Sequence, residues 1–278
     1  MNVSNIPRES IAPFLEEDVG SGDLTAALIP ESVQASAMVM TRESMIMCGQ
    51  GWFDAVFKAL NDSTQVQWLV AEGQRIDAET ELCSIKGNAR ALLTAERTAL
   101  NLLQTLSATA TLARQYADAV AGTRCKVLDT RKTIPGLRQA QKYAVRCGGC
   151  ENHRAGLFDA ILIKENHILA TGSLQNALRS AQAQDGNCLI EVEVETLSQL
   201  EEALDLGCER VLLDNFSLPM MSQAVLINQG RAKLEVSGNV ELGNIHEIAK
   251  TGVDYISVGA LTKHIQAIDL SMRISLDS

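Results

Sequence analysis

The residues of this chain that are best suited to chemistry lie in one basic segment, residues 124–167. The segment holds nine Lys or Arg residues against four Asp or Glu residues, whereas the whole 278-residue chain has a net charge of −10. Its cations include Arg131, Lys132, Arg154 and Lys164. Positive charge that is concentrated in one part of an acidic protein predicts a site for a strongly anionic ligand.

Lys164 follows the apolar run AILI and has two possible roles. A lysine at the end of a strand can act as a Schiff-base nucleophile, as in an aldolase that binds phosphorylated substrates. It can also serve as a fixed positive charge. We favour the fixed charge, because the other cations of the segment, Arg131, Lys132 and Arg154, need an anion to offset their mutual repulsion.

A second group of reactive residues consists of carboxylates in the run LIEVEVE. Glu191, Glu193 and Glu195 alternate with valines, which places all three on one face of a strand. That face would be exposed in an antiparallel sheet, but strands of a parallel sheet are covered on both sides. Asp214 ends the next apolar run, RVLLD. With the glutamates it could complete an oxygen site for Mg²⁺, which is usually held by carboxylates and substrate oxygens.

Two turns that contain glycine close the last two apolar runs. They are Ser237-Gly238-Asn239 and Val258-Gly259-Ala260. Barrels commonly bind a phosphate at the loops that follow their late strands, through backbone N–H groups and a helix N-terminus. Glycine lets the backbone come close to such a ligand. The two turns therefore predict a phosphate site.

Arg90, Glu96 and Arg97 interrupt an otherwise apolar helical stretch. A Glu–Arg pair on an exposed helix face is one explanation, and it would contribute little to stability. Recruitment of these residues to a binding site is the other explanation. The sequence leaves the choice open.

Cys147 and Cys150 form a lone CxxC motif, and His153 follows three residues later. A zinc or redox site normally needs a second pair of ligands, and basic surroundings disfavour a bound cation. We therefore expect no metal at this motif. His167 and His264 carry no signal beyond an ordinary hydrogen-bonding role.

Six apolar runs that end in polar residues would position these candidates: KVLDTRK, AILIKEN, LIEVEVE, RVLLDN, LEVSGN and YISVGA. Helical stretches lie between them, and strand–helix repeats of this length build a parallel sheet with right-handed crossovers. An incomplete, six-stranded α/β barrel and an open doubly wound sheet both fit. We favour the barrel because polar residues end every strand, whereas an open sheet uses only those near its switch point.

The first part of the chain lacks strand–helix alternation, which indicates a smaller N-terminal α+β domain. We place this domain at residues 1–112, joined by residues 268–278, and the barrel at residues 113–267. Within residues 1–112 the pattern predicts helices at 9–16 and 51–61 and strands within 36–49 and 65–76. One or two long helices are expected from residue 81 to residue 122.

The composition bounds the class of protein. A hydrophobic fraction of 46% supports a large core, and a pI near 5.0 argues against nucleic acid as a partner. No apolar run approaches the roughly 20 residues of a membrane span, and the N-terminus lacks the pattern of a secretion signal. Seven cysteines, an odd number, fit reduced thiols. We expect a cytoplasmic protein without a membrane or nucleic-acid partner.

Several motifs, in this order, resemble those of the quinolinate phosphoribosyltransferase family. They are DTRKTIPGLR, KYAVRCGG, NHR followed by GL, IKENH, EVEVE, LLDN, VSGN and ISVGALT, and EDVGSGDLT and LLTAERTALN extend the resemblance to the first domain. The resemblance implies a small N-terminal domain and an incomplete α/β barrel. It also implies transfer of the phosphoribosyl group of phosphoribosyl pyrophosphate to quinolinate with decarboxylation, a step of de novo NAD biosynthesis.

The resemblance also implies roles for individual residues. Arg131, Arg154 and Lys164 would hold the quinolinate carboxylates. Lys132 would face the substrate phosphates, and Glu193 and Asp214 would meet the ribose hydroxyls and Mg²⁺, the implied cofactor; these last three would be the catalytic residues. The other substrate-binding residues that it implies are Arg97, Thr130, His153, Ser237, Gly238, Asn239, Ser257, Gly259 and Ala260.

The resemblance further implies a homodimer, or a hexamer built from such dimers, in which Arg97 reaches the site of the neighbouring subunit. Two positions depart from the family pattern: Cys150 stands where a glycine is usual, and Lys263, next to His264, stands where many members have histidine. Paralogues associated with molybdenum transport share the fold, but the intact KYAVRCGG and IKENH motifs favour the biosynthetic enzyme. A protein that senses an anionic metabolite without converting it is the non-enzymatic alternative.

Overall fold

The computed structural model describes residues 6–184 and 188–276, so the outer limits of the predicted domains, residues 1 and 278, lie outside the described residues. The chain divides into two compact units, Met1–Leu112 with Ile265–Ser278, and Ala113–His264. We predicted a break after residue 112 and a return to the first domain at residue 268. No helix among the described residues is long and apolar enough to cross a membrane.

The first unit begins with short helices and an antiparallel arrangement of strands. Its elements are α1 (Ala12–Val19), β1 (Gln34–Thr41), β2 (Met45–Ile46), α2 (Gln50–Leu60), β3 (Gln65–Trp68), β4 (Arg75–Ile76), β5 (Thr80–Asn88) and α3 (Ala89–Ala119), whose last turns belong to the second unit. Residues Arg8–Ser10 and Ala26–Leu28 form 3₁₀ turns. The first helix, α1, lies three residues later than the predicted helix at 9–16.

The second unit alternates strands and helices. Its elements are β6 (Lys126–Leu128), α4 (Arg138–Cys147), β7 (Ala160–Ile163), α5 (Glu165–Thr171), α6 (Leu174–Gln182), β8 (Leu189–Val194), α7 (Leu197–Asp205), β9 (Arg210–Asp214), α8 (Leu218–Asn228), β10 (Lys233–Ser237), α9 (Ile245–Lys250), β11 (Tyr255–Ser257) and α10 (Ala260–Lys263). A final strand, β12 (Leu270–Leu276), returns to the first unit.

The first unit is built on a four-stranded antiparallel sheet in the order β12-β1-β5-β3. The prediction that residues 81–122 are entirely helical is wrong, because residues 80–88 form strand β5. Leu82, Cys83 and Ile85 are buried in this strand, which has hydrogen-bonded neighbours on both sides. These pairings with distant strands outweigh the local helical pattern.

The second unit is an incomplete barrel, as predicted. Its six parallel strands lie in the order β6-β11-β10-β9-β8-β7. The first strand therefore pairs with the last, which is the cyclic order of a barrel and not the order of a doubly wound sheet. Among the described strands β6 and β7 do not pair, so the barrel has one seam, and a single bridge joins Leu128 on that side to Glu151.

Candidate active site

Arg131 and Arg154 bring two guanidinium groups together, and neither forms an ion pair among the described residues, although Glu191 and Asp159 act on Arg154 from a longer distance. Arg131 follows β6, and its Nε is buried with no hydrogen-bond partner. The guanidinium of Arg154 donates to the carbonyl oxygen of Ala160 over a long 3.4 Å. Burial lowers the pKa of Arg154, and the charge of Arg131 lowers it further. Two partly buried cations that repel each other are suited to an anion, and a guanidinium can hold a carboxylate bidentately.

Lys164 and Glu193 form an ion pair at the C-terminal ends of β7 and β8. Lys164 Nζ donates a hydrogen bond to Glu193 Oε2. The lysine side chain is 44% exposed and the glutamate side chain 14%, so the pair opens to solvent on the lysine side. His167 fixes the backbone here, because its Nδ1 accepts the N–H of Lys164 at 2.9 Å. An ammonium held by a carboxylate is a binding charge and not a ready nucleophile.

Asp214 lies at the end of β9 beside the end of β10. Its Oδ1 accepts a hydrogen bond from Ser237 Oγ at 2.7 Å, and its Oδ2 accepts one from the side-chain amide of Asn215 at 2.8 Å. Asp214 and Glu193 are both half-buried, and each keeps oxygen lone pairs for a further partner. Carboxylate oxygens at neighbouring strand ends fit Mg²⁺, which prefers hard oxygen ligands.

The loop after β6 meets the turn after β11. A Cβ added at Gly259 would lie 3.0 Å from Lys132 Cδ and 3.6 Å from Thr130 Oγ1, so the turn and the lysine are in close contact. Thr262 Oγ1, in the helix that Ala260 begins, donates to the carbonyl oxygen of Lys132 at 2.9 Å. Lys132 itself is exposed. The structure thus brings the predicted phosphate-facing lysine to the predicted phosphate-binding turn.

Ser237 and Ser257 use their hydroxyls inside the protein. Ser237 donates to Asp214, and the buried Ser257 donates to Glu235 on β10. Beyond Ser237, both Gly238 and Asn239 have positive φ, 89° and 52°. In this geometry the serine hydroxyls act on neighbouring carboxylates, and the backbone of the two turns remains the part that can face a phosphate.

His153, for which we predicted a substrate contact, has its Nε2 between two carboxylates of the protein. Its Nε2 lies 2.9 Å from Glu191 Oε2 and 3.3 Å from Glu235 Oε1. Arg210 completes this group, since its guanidinium contacts Glu191 at 3.1 Å and Glu235 at 2.5 Å. We call His153, Glu191, Arg210 and Glu235 the closed layer, because every member is buried or nearly so and has an oppositely charged or hydrogen-bonding partner within it.

His153 has competing demands on its protonation. Burial opposes a charge, but hydrogen bonds to Glu191 and Glu235 outweigh burial and raise the pKa of His153 to about 9. The N–H of Arg154, 2.7 Å from His153 Nδ1, instead needs an unprotonated nitrogen. Burial also raises the pKa of Glu191, so a proton on His153 or on Glu191 offsets the carboxylate charge that the one guanidinium of Arg210 leaves uncompensated.

A second group consists of five charged residues whose side chains are partly exposed. We call Arg131, Arg154, Lys164, Glu193 and Asp214 the open layer. Glu193 and Asp214 lie further along their strands, towards the C-terminal ends, than Glu191 and Arg210 of the closed layer. The three glutamates of LIEVEVE thus lie in different surroundings, Glu191 in the closed layer and Glu193 in the open layer. The third, Glu195, is exposed, and a hydrogen bond with Glu165 raises its pKa.

The closed layer also resembles a metal site by composition but does not fit one. The ligand atoms of His153, Glu191 and Glu235 lie within 4.8 Å of one another. The guanidinium of Arg210 contacts both carboxylates, so a metal cation there would face a fixed positive charge. Glu193 and Asp214 are the better candidates for a cation.

Sequence reasoning missed Arg210 and Glu235, and it overcounted the cations available to a ligand. Lys142, in the basic segment, is buried and donates to the buried Asp129 at 2.5 Å. Lys126 pairs with Glu151 at 2.6 Å. The available signal for Arg210 and Glu235 was their position inside the covered strands RVLLD and KLEVS, where charge is unexpected without a partner.

Arg97 lies on α3 in the first unit. Its side chain is exposed and forms no ion pair among the described residues, so the Glu–Arg pair that was one of the two explanations does not involve Arg97. Arg90, one of the three residues that interrupt this helix, is used locally: its Nε donates to the carbonyl oxygen of Ile29 at 2.5 Å, and it pairs with Glu31 at 3.2 Å.

Cys150, at the position where glycine is usual, uses its thiol inside the protein. Its thiol is buried and donates to the carbonyl oxygen of Ala113 at 3.1 Å, and burial raises the pKa of Cys150 to about 12. A thiol with a raised pKa is a poor nucleophile and a poor metal ligand. All seven cysteines are free.

Comparison with known proteins identifies one family across the two units. Residues 23–107 match the family described as quinolinate phosphoribosyl transferase, N-terminal domain, and residues 109–273 match quinolinate phosphoribosyl transferase, C-terminal domain. A probable carboxylating nicotinate-nucleotide pyrophosphorylase of Synechocystis is 41% identical, over 94% of this chain and 90% of that protein. The chloroplastic carboxylating nicotinate-nucleotide pyrophosphorylase of Arabidopsis thaliana is 39% identical, over 95% and 81%.

Solved structures agree over almost the whole chain. The nicotinate-nucleotide pyrophosphorylase from Francisella tularensis superposes with a TM-score of 0.93 at 46% identity and covers 99% of both chains. The corresponding protein from Pyrococcus furiosus has a TM-score of 0.73 at 18% identity, which shows a shared fold alone.

Proposed function

This chain belongs to the quinolinate phosphoribosyltransferase family, and we propose that the open layer is where it carries out that family's reaction. The enzyme transfers the phosphoribosyl group of phosphoribosyl pyrophosphate to quinolinate, with decarboxylation. The products are nicotinate mononucleotide, pyrophosphate and CO₂, a step of NAD biosynthesis. The observation that carries the choice of site is the pair of guanidinium groups of Arg131 and Arg154, neither of which forms an ion pair among the described residues.

Arg131, Arg154 and Lys164 would bind the two carboxylates of quinolinate. A dicarboxylate supplies the negative charge that the two guanidinium groups lack in the described part of the chain. Bidentate bonds from arginine would also fix the plane of the pyridine ring. A ring held in one plane presents its nitrogen to the sugar in a defined direction, which lowers the entropic cost of reaching the transition state.

Glu193 and Asp214 would face the ribose of phosphoribosyl pyrophosphate. The ring nitrogen of quinolinate attacks the anomeric carbon while the bond to pyrophosphate breaks, and positive charge develops on the sugar. Two carboxylates held by Lys164, Ser237 and Asn215 are preorganised to stabilise that charge. Loss of CO₂ then leaves an electron pair that the positively charged pyridinium ring accepts, and a proton from solvent replaces the carboxylate.

Mg²⁺ is the proposed cofactor, with Glu193 and Asp214 as the residues that would hold it. The support is the chemistry of the donor set, two half-buried carboxylates at neighbouring strand ends. When bound, Mg²⁺ neutralises charge on the pyrophosphate leaving group. Lys132, exposed beside Gly259, would contact the same phosphates.

A homodimer would complete the site with Arg97 of a second copy. Arg97 is exposed and has no ion-pair partner among the described residues, which leaves its charge for another chain. Each unit also exposes large apolar side chains that a second copy could bury: Leu24 and Leu28 in the first unit, and Leu157 and Phe158 in the second. A cytoplasmic location is proposed as well, supported by seven free cysteines.

The proposed function is tested by incubating the purified protein with Mg²⁺, phosphoribosyl pyrophosphate and quinolinate labelled at the carboxylate next to the ring nitrogen. We expect equal amounts of pyrophosphate and labelled CO₂. Nicotinate and nicotinamide, each with one substituent, should give neither product at a comparable rate. Binding of quinolinate without turnover would identify a sensor, and borohydride trapping of a substrate on Lys164 would identify an aldolase.

A further inference from the structure

Asn215 joins two parts of the site that the proposed function treats separately, the carboxylate of Asp214 and the turn at Gly238–Asn239. It lies directly after β9, next in sequence to Asp214, and its φ is 57°. Such a left-handed backbone is uncommon outside glycine, and Asn tolerates it better than most residues. The described chain has three other non-glycine residues with positive φ, and one of them, Asn239, is in the turn that Asn215 contacts.

Both ends of the Asn215 side-chain amide are used. The nitrogen donates to Asp214 Oδ2 at 2.8 Å, and since a carboxylate can only accept, the amide nitrogen must face Asp214. The amide oxygen therefore points to the other strand end, where it accepts a 3.4 Å contact from Asn239 Nδ2. The orientation of one amide thus depends on Asp214 on one side and on the turn after β10 on the other.

Asn215 occupies the space next to Gly238 and therefore favours glycine at this position. A Cβ built on Gly238 would lie 2.1 Å from Asn215 Oδ1 and 2.7 Å from its Cγ. It would also lie 3.2 Å from the backbone nitrogen of Asn215, which donates to the carbonyl oxygen of Ser237 at 3.0 Å. The two strand ends are therefore packed directly against each other with no room for a side chain.

The contacts form a closed circuit between the ends of β9 and β10. Ser237 donates to one oxygen of Asp214 and Asn215 donates to the other, while the Asn215 N–H holds the backbone of Ser237. A carboxylate with a fixed donor on each oxygen keeps one rotamer and one direction for its remaining lone pairs. Asn244 supports the far side of the circuit, since its amide donates to the carbonyl oxygen of Asn239 at 2.9 Å.

We propose that Asn215 is a positioning residue for phosphoribosyl pyrophosphate: it orients the Asp214 carboxylate and fixes the Gly238–Asn239 turn against it. This role rests on the proposed function, because it assumes that Asp214 meets the ribose and that the turn meets the 5′-phosphate. In any phosphoribosyl ligand the ribose hydroxyls and the 5′-phosphate are separated by the sugar itself. The position of Asp214 relative to the Gly238–Asn239 turn therefore decides how well such a ligand fits. Quinolinate, bound through Arg131 and Arg154, should not depend on Asn215.

The test compares Asn215→Asp and Asn215→Gly with the wild-type enzyme. Asn215→Asp keeps the size and tolerates the backbone, but it replaces the donor with a charge that repels Asp214. We expect the KM for phosphoribosyl pyrophosphate to rise by about tenfold or more, as for loss of a hydrogen bond to a charged group, with the affinity for quinolinate, measured by calorimetry, unchanged. Asn215→Gly keeps the left-handed backbone and should give a smaller rise in the same KM.

A rescue experiment separates a steric lock from general damage. Gly238→Ala alone should raise the KM for phosphoribosyl pyrophosphate, because its Cβ meets the amide of Asn215. Combining it with Asn215→Gly removes that clash, so the double variant should be better than the two single effects added together predict. Gln229→Gly, at another left-handed residue (φ 48°) at the end of α8, is the matched control and should leave both substrate constants unchanged.

Three results would overturn the role of Asn215. They are an unchanged KM for phosphoribosyl pyrophosphate in Asn215→Asp, an equal loss of quinolinate affinity, and strictly additive effects in the double variant. Each is read against an active wild-type enzyme, so none of them can be confused with failure of the proposed function, in which the wild type itself would be inactive. If Asn215→Asp does not fold, Asn215→Gly and the double variant decide the question.

Discussion

The closed and open layers of the barrel contain similar residues but differ in how their charges are satisfied. In the closed layer, Arg210 contacts both Glu191 and Glu235, and His153 lies between the same two carboxylates. In the open layer, neither Arg131 nor Arg154 forms an ion pair in the described part of the chain, and Glu191 and Asp159 act on Arg154 only from a longer distance. The closed layer is complete without a ligand, whereas the open layer needs one.

This difference separates a structural role from a binding role where residue type does not. Buried charges are tolerated when paired, and removing one partner leaves an uncompensated charge in a poorly solvated place. Clustered like charges without partners cost stability in the free protein and bind an oppositely charged ligand in return. We therefore expect substitutions in the closed layer to affect folding first and substitutions in the open layer to affect substrate binding first.

The largest effect is expected from Arg210→Met in the closed layer. The change removes the guanidinium that contacts both Glu191 and Glu235 and leaves only His153 beside them. Breaking a buried pair typically costs about 3–5 kcal/mol. Urea unfolding should show a loss of stability of that order. Adding Glu235→Gln should recover part of it, because one of the two buried carboxylate charges is then removed. A stability of Arg210→Met equal to that of the wild type would contradict the distinction between the layers.

Arg154→Lys, in the open layer, should leave stability nearly unchanged and damage catalysis. Lysine keeps the charge but cannot form two parallel hydrogen bonds to a carboxylate. Loss of a hydrogen bond between charged groups corresponds to roughly 1.5–3 kcal/mol, so the KM for quinolinate should rise by about ten- to a hundredfold. Steady-state kinetics measures this change, with the KM for phosphoribosyl pyrophosphate as the internal control. A variant that loses stability but keeps its KM would place Arg154 in the structural group.

The sequence alone was enough to name the cations of the open layer, but not to find the ion pairs of the closed layer. The basic segment and the polar residues at strand ends were visible directly, so Arg131, Arg154 and Lys164 could be named. The partners of Arg210 could not, because they lie on different strands and depend on the order of strands in the sheet. The resemblance to a known family supplied a role for Arg97, which composition and spacing left undecided.

A mixing experiment tests whether the open layer is completed by a second copy. Arg97→Ala and Lys164→Ala should each be nearly inactive alone. If Arg97 serves the neighbouring subunit, a hybrid dimer contains one site with both defects and one intact site. Random exchange makes about half of the dimers hybrid, so about a quarter of wild-type activity should return. With subunit exchange verified by mass spectrometry, a mixture that stays inactive would mean that Arg97 acts within its own chain.

The smallest effect concerns the pH dependence of stability in the closed layer. The pKa of His153 is raised to about 9 in the folded protein, against an ordinary value near 6.5. Its contribution to stability is therefore fully present below pH 6.5 and is lost as the pH rises to about 9. The unfolding free energy of the wild type, measured in urea, should fall over this range more than that of His153→Asn. Parallel pH profiles would show that the carboxylates do not hold a proton on His153.

Calorimetric titration tests the central claim, that the open layer is incomplete without a dicarboxylate, most directly. Quinolinate and nicotinate are each titrated into the wild-type protein and into Arg131→Lys, with unfolding measured on the same samples. We predict that the wild type binds quinolinate at least about tenfold more tightly than nicotinate, as for an added charged hydrogen bond, and that Arg131→Lys loses most of this preference while remaining folded. Equal affinities for the two ligands in the wild type, or an unchanged preference in Arg131→Lys, would contradict the account.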